Sequence, residues 1–221
     1  MAIIDLTLPI PEKEHTSETG TAPWKERHTV RRVLWRIGAG NRAYDARVYF
    51  FRLWSMSGTY IDFPGHIDRT DNGETAANCT ADKLYRLPAT VIHLDRADGS
   101  GKIKCAELQA ACPVEGVKGK ALVVNALGNR RFDAVEWRSV YLAREAVDWI
   151  AGTGIHVLVS DVYESDSDPQ NVFVTLFAAG VSTVCCPVNL HRLGKPHGLL
   201  TVLPLRLAEA SQAPCRVVAE W

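Results

Sequence analysis

The sequence has no long apolar run. No stretch of about 18 apolar residues occurs, so a transmembrane helix is not expected. Neither sign of charge is in surplus: Lys+Arg and Asp+Glu both number 25. This balance lacks the basic footprint of a nucleic-acid binder, and no acidic tail is present. The first fifteen residues, MAIIDLTLPIPEKEH, lack the basic start and long apolar stretch of a signal peptide. The six cysteines (Cys79, Cys105, Cys112, Cys185, Cys186, Cys215) show no CxxC spacing. Free buried thiols and a cytoplasmic setting are therefore expected. There is no internal repeat, no low-complexity tract and no linker, so residues 1–221 are expected to form one domain. A chain with no net charge usually stays soluble through surface patterning or self-association, and a homo-oligomer is expected.

What is present suits a globular protein. Hydrophobic residues make up 47% and charged residues 23% of 221, enough for a substantial core. Residues 2–8 read as a strand stopped by Pro9 and Pro11, and 12–26 as a surface loop. Residues 28–35 and 46–54 suit strands joined by a turn at 38–41. Short buried strands are expected at 89–94, 120–125, 156–160 and 182–186, with 199–207 and 215–220 closing the fold. Helical spacing appears at 104–112, and again at 138–152, where Val140, Ala143, Val147 and Ile150 recur before Gly152. Residues 170–179 are apolar on most faces. Strands alternating with helical segments predict an α/β fold.

The run Met56-Ser57-Gly58-Thr59-Tyr60-Ile61-Asp62-Phe63-Pro64-Gly65-His66 is rich in Gly, Pro and side chains that bond to backbone. It predicts an irregular passage that gathers polar groups, not a helix or central strand. The run resembles the H-x-G-T-H-x-D-x-P-x-H signature of the cyclase family, which includes kynurenine formamidases and isatin hydrolases. Other segments are similar in order: 3–10, 87–92, 143–159, Asp168-Pro169, 178–190 and 203–206. The resemblance implies a single α/β domain of the swivelling β/β/α-like type, commonly a homo-oligomer. It also implies chemistry on a small molecule, in which imidazoles and carboxylates hold zinc or manganese and a metal-bound water opens an amide, formamide or lactam.

The sequence departs from that pattern at the ligands. The first signature His falls on Met56 and the second on Tyr60, whereas the Asp and last His are kept as Asp62 and His66. A later family His falls near Phe173, and a late acidic or amide ligand near Cys185. Two ligands are fewer than the three protein ligands of a catalytic site, so no metal is assigned. A rebuilt zinc or manganese set, for example Cys185 with His66 and Asp62, stays an alternative. Without metal, the expected catalytic residues are His66, Asp62 and Tyr60. Asp62 would orient the imidazole, His66 would move the proton, and Tyr60 would either donate to a substrate oxygen or fill vacated space. Ser57, Thr59, Trp24, Phe63, Glu164 and Cys185 are expected to contact the ligand, although buried thiols are more often simple hydrophobes. The reading is a divergent family enzyme that hydrolyses a cyclic or aromatic amide or lactone, or carries out metal-independent cyclisation or dehydration. The alternative is a degenerate member that binds a small ligand or a protein. No nucleic-acid or membrane partner is expected.

Overall fold

The computed structural model describes residues 2–10, 29–94, 96, 100–136, 138–194 and 196–221. The loop expected over 12–26, with Trp24, lies outside these residues. Along the described chain the elements are β1 (Ile3–Asp5), β2 (Thr29–Ile37), β3 (Tyr44–Arg52), β4 (Tyr60–Asp62), β5 (Leu87–His93), β6 (Gly101–Ile103), α1 (Cys105–Ala111), β7 (Ala121–Asn125), β8 (Val140–Leu142), α2 (Arg144–Gly152), β9 (Val157–Ser160), α3 (Val172–Ala178), β10 (Ser182–Cys185), β11 (His197–Pro204) and β12 (Gln212–Glu220).

Eight strands form one sheet in the order β1-β12-β11-β5-β7-β9-β10-β4, and β4 pairs again with β12. That extra pairing closes the sheet on itself. β12 gives residues 212–214 to β4 and 218–220 to β1. The four central strands β5, β7, β9 and β10 run parallel. Parallel strands covered on both faces need apolar residues at every position. Every residue of β7 (ALVVN), β9 (VLVS) and β10 (STVC) is indeed buried. The fold is the expected α/β type, with a strand-dominated, barrel-like sheet and few helices.

Side chains alternate between two cores. Ile61, Val91, Val123, Val159, Val184 and Val217 point into the barrel. Ile92, Leu122, Val124, Leu158 and Cys185 point out, onto the apolar stripes of α1, α2 and α3. Because Ile61 points in, its neighbours Tyr60 and Asp62 stand on the outer face, where Tyr60 packs against the helix-side core.

Two expectations change in detail. The helical pattern at 138–152 splits into β8 and α2. Leu142 N–H bonds Tyr163 C=O and Ala143 N–H bonds Ile103 C=O, so tertiary partners take the segment's first residues out of the helix. The passage 57–66 contains a strand after all. β4 is only three residues long, between a left-handed Gly58 and Pro64, yet it is paired on both edges, by β10 and β12.

Candidate active site

The entry to β4 is fixed by backbone geometry. Gly58 has φ +67°, and a Cβ there would stand 2.9 Å from the Leu8 carbonyl oxygen, so only glycine fits. Thr59 follows, almost fully buried. Its Oγ1 accepts from Leu8 N–H at 2.7 Å and donates to Cys186 C=O at 2.8 Å. Ser57 Oγ accepts from Trp54 N–H at 2.9 Å. Both hydroxyls thus tie loops to the strand that carries Tyr60 and Asp62. Thr59→Val keeps the shape but leaves a buried N–H and C=O without their partner. It should lower unfolding stability by about 2 kcal/mol; an unchanged denaturant midpoint would show that the bridge contributes nothing.

Asp62 is 3% exposed. Its Oδ1 accepts from Gln212 Nε2 at 2.6 Å, and its Oδ2 lies 3.8 Å from Cys185 Sγ. Gln212 Oε1 in turn accepts from Ser55 Oγ. Cross-strand register sets Thr183 opposite Asp62 and Cys185 opposite Tyr60. Thr183 Oγ1 is buried with no hydrogen-bond partner among the described residues. Burial pushes the Asp62 carboxyl up to about 7, against the lowering effect of its bonds to Gln212 and Cys185. Burial, then the neighbouring Asp62 charge, pushes the Cys185 thiol well above its ordinary value. Burial also raises the Tyr60 hydroxyl, with further contributions from Cys185, Cys186 and Asp62. Near neutral pH, Tyr60 and Cys185 therefore keep their protons, while Asp62 titrates.

Tyr60, Cys185 and Cys186 form one wall of a cavity of about 90 Å³, with Phe132, Tyr163 and Phe173 among the other lining residues. It lies beyond the carboxyl ends of β7, β9 and β10, where open α/β sheets present their crevices. Phe173 stacks on Tyr163 at 5.3 Å, and Tyr163 Oη is held by the carbonyls of Leu158 and Val184. Glu164 borders the same cavity, but its carboxylate accepts from Gln170 N–H at 2.6 Å and Val172 N–H at 2.8 Å, capping the start of α3. Asp161, also on the wall, accepts from the N–H groups of Ala126 and Leu127, and burial pushes it up to about 6.

The remaining expected site residues lie elsewhere. Phe63 is fully buried inside the barrel and reaches a different cavity, at the opposite end of the strands. His66 follows it in the turn after β4, exposed, with its ring edge-on to Phe177 at 6.5 Å. Among the described residues no hydrogen bond joins it to Asp62. Gln212 and Thr183 were not foreseen from sequence. They come from distant strands, and only the pairing of β4 with β10 and β12 reveals them.

The family model for cyclases matches residues 4–167. The chain belongs to the cyclase family. No curated protein matches it in sequence. Solved structures with the same cyclase-family fold include isatin hydrolase A from Labrenzia aggregata, at 17% identity over 99% of this chain and 93% of that one, with a TM-score of 0.72. A protein described as a predicted metal-dependent hydrolase from Bacillus stearothermophilus aligns at 19% identity over 99% and 97%, TM-score 0.72. Isatin hydrolase A from Ralstonia solanacearum aligns at 19% over 99% and 91%, TM-score 0.69. At these identities the shared property is the fold.

Among the described residues the donor set of this cyclase-family chain does not fit a divalent metal. Among the described residues no three His, Cys, Asp or Glu side chains stand together to hold an ion. The zinc set suggested by sequence is only partly assembled, since Cys185 meets Asp62 but His66 lies apart. Thiolate is the zinc ligand, and here burial holds the thiol protonated.

Proposed function

We propose that this cyclase-family chain is a hydrolase- or cyclase-type enzyme acting on a small cyclic or aromatic amide or lactone through a metal-independent acid/base centre. The observation that carries the reading is the buried Asp62 carboxyl, pushed up to about 7, joined through Cys185 to a cavity wall that also presents the Tyr60 hydroxyl. A carboxyl that titrates near the working pH is matched to proton transfer. The isatin hydrolases that share the fold support the substrate class. The roles follow from protonation state. Tyr60, which keeps its proton, donates a hydrogen bond to the substrate carbonyl as negative charge builds on oxygen. The attacking water gives its proton to the Cys185 thiol, which hands its own to ionised Asp62; Asp62 later returns a proton to the leaving group. Gln212 holds Asp62 in place. Cyclisation or dehydration would use the same groups.

The test is turnover of N-formyl arylamines, lactams and lactones in chelator-treated buffer across pH. We expect kcat/KM to rise to a plateau with its midpoint near 7, because the base must be ionised. Tyr60→Phe should lower it on the order of 10²-fold, as loss of an oxyanion donor does. A flat profile removes Asp62 from the chemistry. A second reading, a catalytically degenerate member that binds a protein partner, draws support from the size of the cavity, at about 90 Å³ well under the ~300 Å³ at which small-molecule pockets begin. No turnover by the wild type on any member of the panel would favour it.

A further inference from the structure

The barrel interior opens at the end away from Tyr60, in a cavity of about 560 Å³. Ligand pockets span ~300–1,000 Å³ and form readily in the mouths of β-barrels. The floor is apolar, since Phe63, Leu84 and Val157 all belong to the core inside the barrel. Ser182 shares the inward face of β10 with Val184. It is 4% exposed and lines the cavity, and among the described residues its hydroxyl makes no hydrogen bond. A buried hydroxyl without a partner is costly, and native interiors keep few of them. The outer wall is the segment 72–83, folded on itself. Asn72 Oδ1 accepts from Glu74 N–H at 3.0 Å, and Asn78 Nδ2 donates to Gly73 C=O at 2.7 Å. Ala76 N–H donates to Ala210 C=O at 2.8 Å and ties the wall to the body. The cavity is therefore pre-formed. At its rim Lys83 Nζ donates to Glu74 Oε1 at 3.0 Å. Burial, then the Glu74 carboxylate, pushes the neighbouring Cys79 thiol up to about 12, so it stays protonated.

We propose that this cavity is a second binding site, separate from the catalytic centre, for a small zwitterion with an apolar tail. An α-amino acid with an aliphatic side chain is the simplest such molecule. Charge selects the class. The lining carries one acid, Glu74, and one ammonium, Lys83, side by side. A ligand of one sign meets an opponent in one of them, whereas a molecule with both charges meets a partner for each. In an α-amino acid a single carbon separates the two charges, which suits a pair 3.0 Å apart. Both side chains have capacity left: Lys83 carries three donors and Glu74 two acceptor oxygens, and their mutual bond uses one of each. Burial selects the rest. The tail would cover the floor of Phe63, Leu84 and Val157, and the carboxylate would give the Ser182 hydroxyl its acceptor. A purely apolar ligand would leave Ser182 unpaired and strip water from the ion pair. A polyol would answer Ser182 but leave the apolar floor uncovered.

The experiment is titration calorimetry on the full-length protein with L-leucine, alongside thermal melts in the presence of each aliphatic amino acid. Leucine should bind and raise the melting temperature. N-acetyl-leucine lacks the ammonium and 3-methylbutylamine lacks the carboxylate, and each should bind more weakly on the order of 10-fold or more. Glu74→Gln, with an unchanged circular dichroism spectrum, should weaken leucine by a similar factor, and Tyr60→Phe should leave its affinity as in wild type. Should Glu74→Gln misfold, the comparison of the three ligands on wild type decides. Absence of binding by every aliphatic amino acid, equal binding of leucine and its two analogues, or full affinity in folded Glu74→Gln each overturns the inference. So does loss of binding in Tyr60→Phe, since the ligand would then sit in the cavity beside Asp62. Stabilisation by glucose and not by leucine overturns it as well, because the occupant would be a polyol.

Discussion

Asp62→Asn should make the protein more stable at pH 8 and inactive at every pH. The carboxyl is pushed from 3.8 to about 7 by burial. In the unfolded chain it ionises near 4, so between pH 4 and 7 the folded state binds the extra proton. Stability must then fall as pH rises through that window, and the full cost of a buried charge is present above pH 7. At about 1.4 kcal/mol per pH unit, the cost is on the order of 4 kcal/mol. Asparagine keeps the shape and still accepts from Gln212 but never ionises. Its melting temperature should exceed that of wild type by about 10 °C at pH 8, and match it near pH 4, where both side chains are neutral. Turnover should drop by at least about 10²-fold, because the proton acceptor behind Cys185 is gone. Thermal melts at the two pH values, with one rate assay, decide the matter. A variant no more stable than wild type at pH 8 would mean that Asp62 is not strained by burial, and the proposed mechanism loses its base. The expected trade is the usual one at a working site: a group held against its own preference costs stability and supplies chemistry.

The architecture was legible because its signals are local. Four apolar strands with helical segments between them can pack only as a parallel sheet covered on both faces, and KALVVN or HVLVS carries that message within six residues. The hairpin of β2 and β3 announced itself by a glycine-rich turn between two strand-like runs. Closure of the barrel did not, since it depends on a three-residue strand that propensity alone would leave as loop. The site divides the same way. Tyr60 and Asp62 were found because the signature of the family runs through them, and the strand β4 then puts both on one face. Their partners Gln212 and Thr183 lie 150 and 121 residues further on than Asp62, where no sequence spacing could point. His66 was grouped with Asp62 because both are kept from the family signature, in a passage read as irregular. On an extended strand followed by a turn, four residues carry the chain toward the opposite end of the barrel, and the imidazole comes to rest on Phe177. Ser57 and Thr59 were read as ligand contacts from their polarity, yet both hydroxyls bond into the backbone.

Met56→His together with Tyr60→His should create a zinc site where the described residues of wild type offer no fitting donor set. Tyr60 shares its face with Asp62 and lies opposite Cys185 in register, so an imidazole there would join a carboxylate and a sulfur already 3.8 Å apart. The second imidazole restores the residue that opens the family signature. Zinc would favour the thiolate strongly enough to overcome the burial that now keeps Cys185 protonated. Binding should therefore release about one proton per ion, and affinity should strengthen as pH rises. At a free zinc concentration a hundred times Kd, a ligand that binds only the folded state adds about 2.7 kcal/mol. In a chain of this length that is a rise of roughly 5–10 °C in melting temperature. Tyr60→His alone should bind more weakly, and wild type should show no shift. Titration calorimetry with a pH indicator reads affinity and proton release together. If the double variant gains neither, the signature register that sets Met56 and Tyr60 on the metal positions is wrong. If it binds zinc and also opens lactams, the loss of two imidazoles is what separates this chain from metal-dependent members of its family.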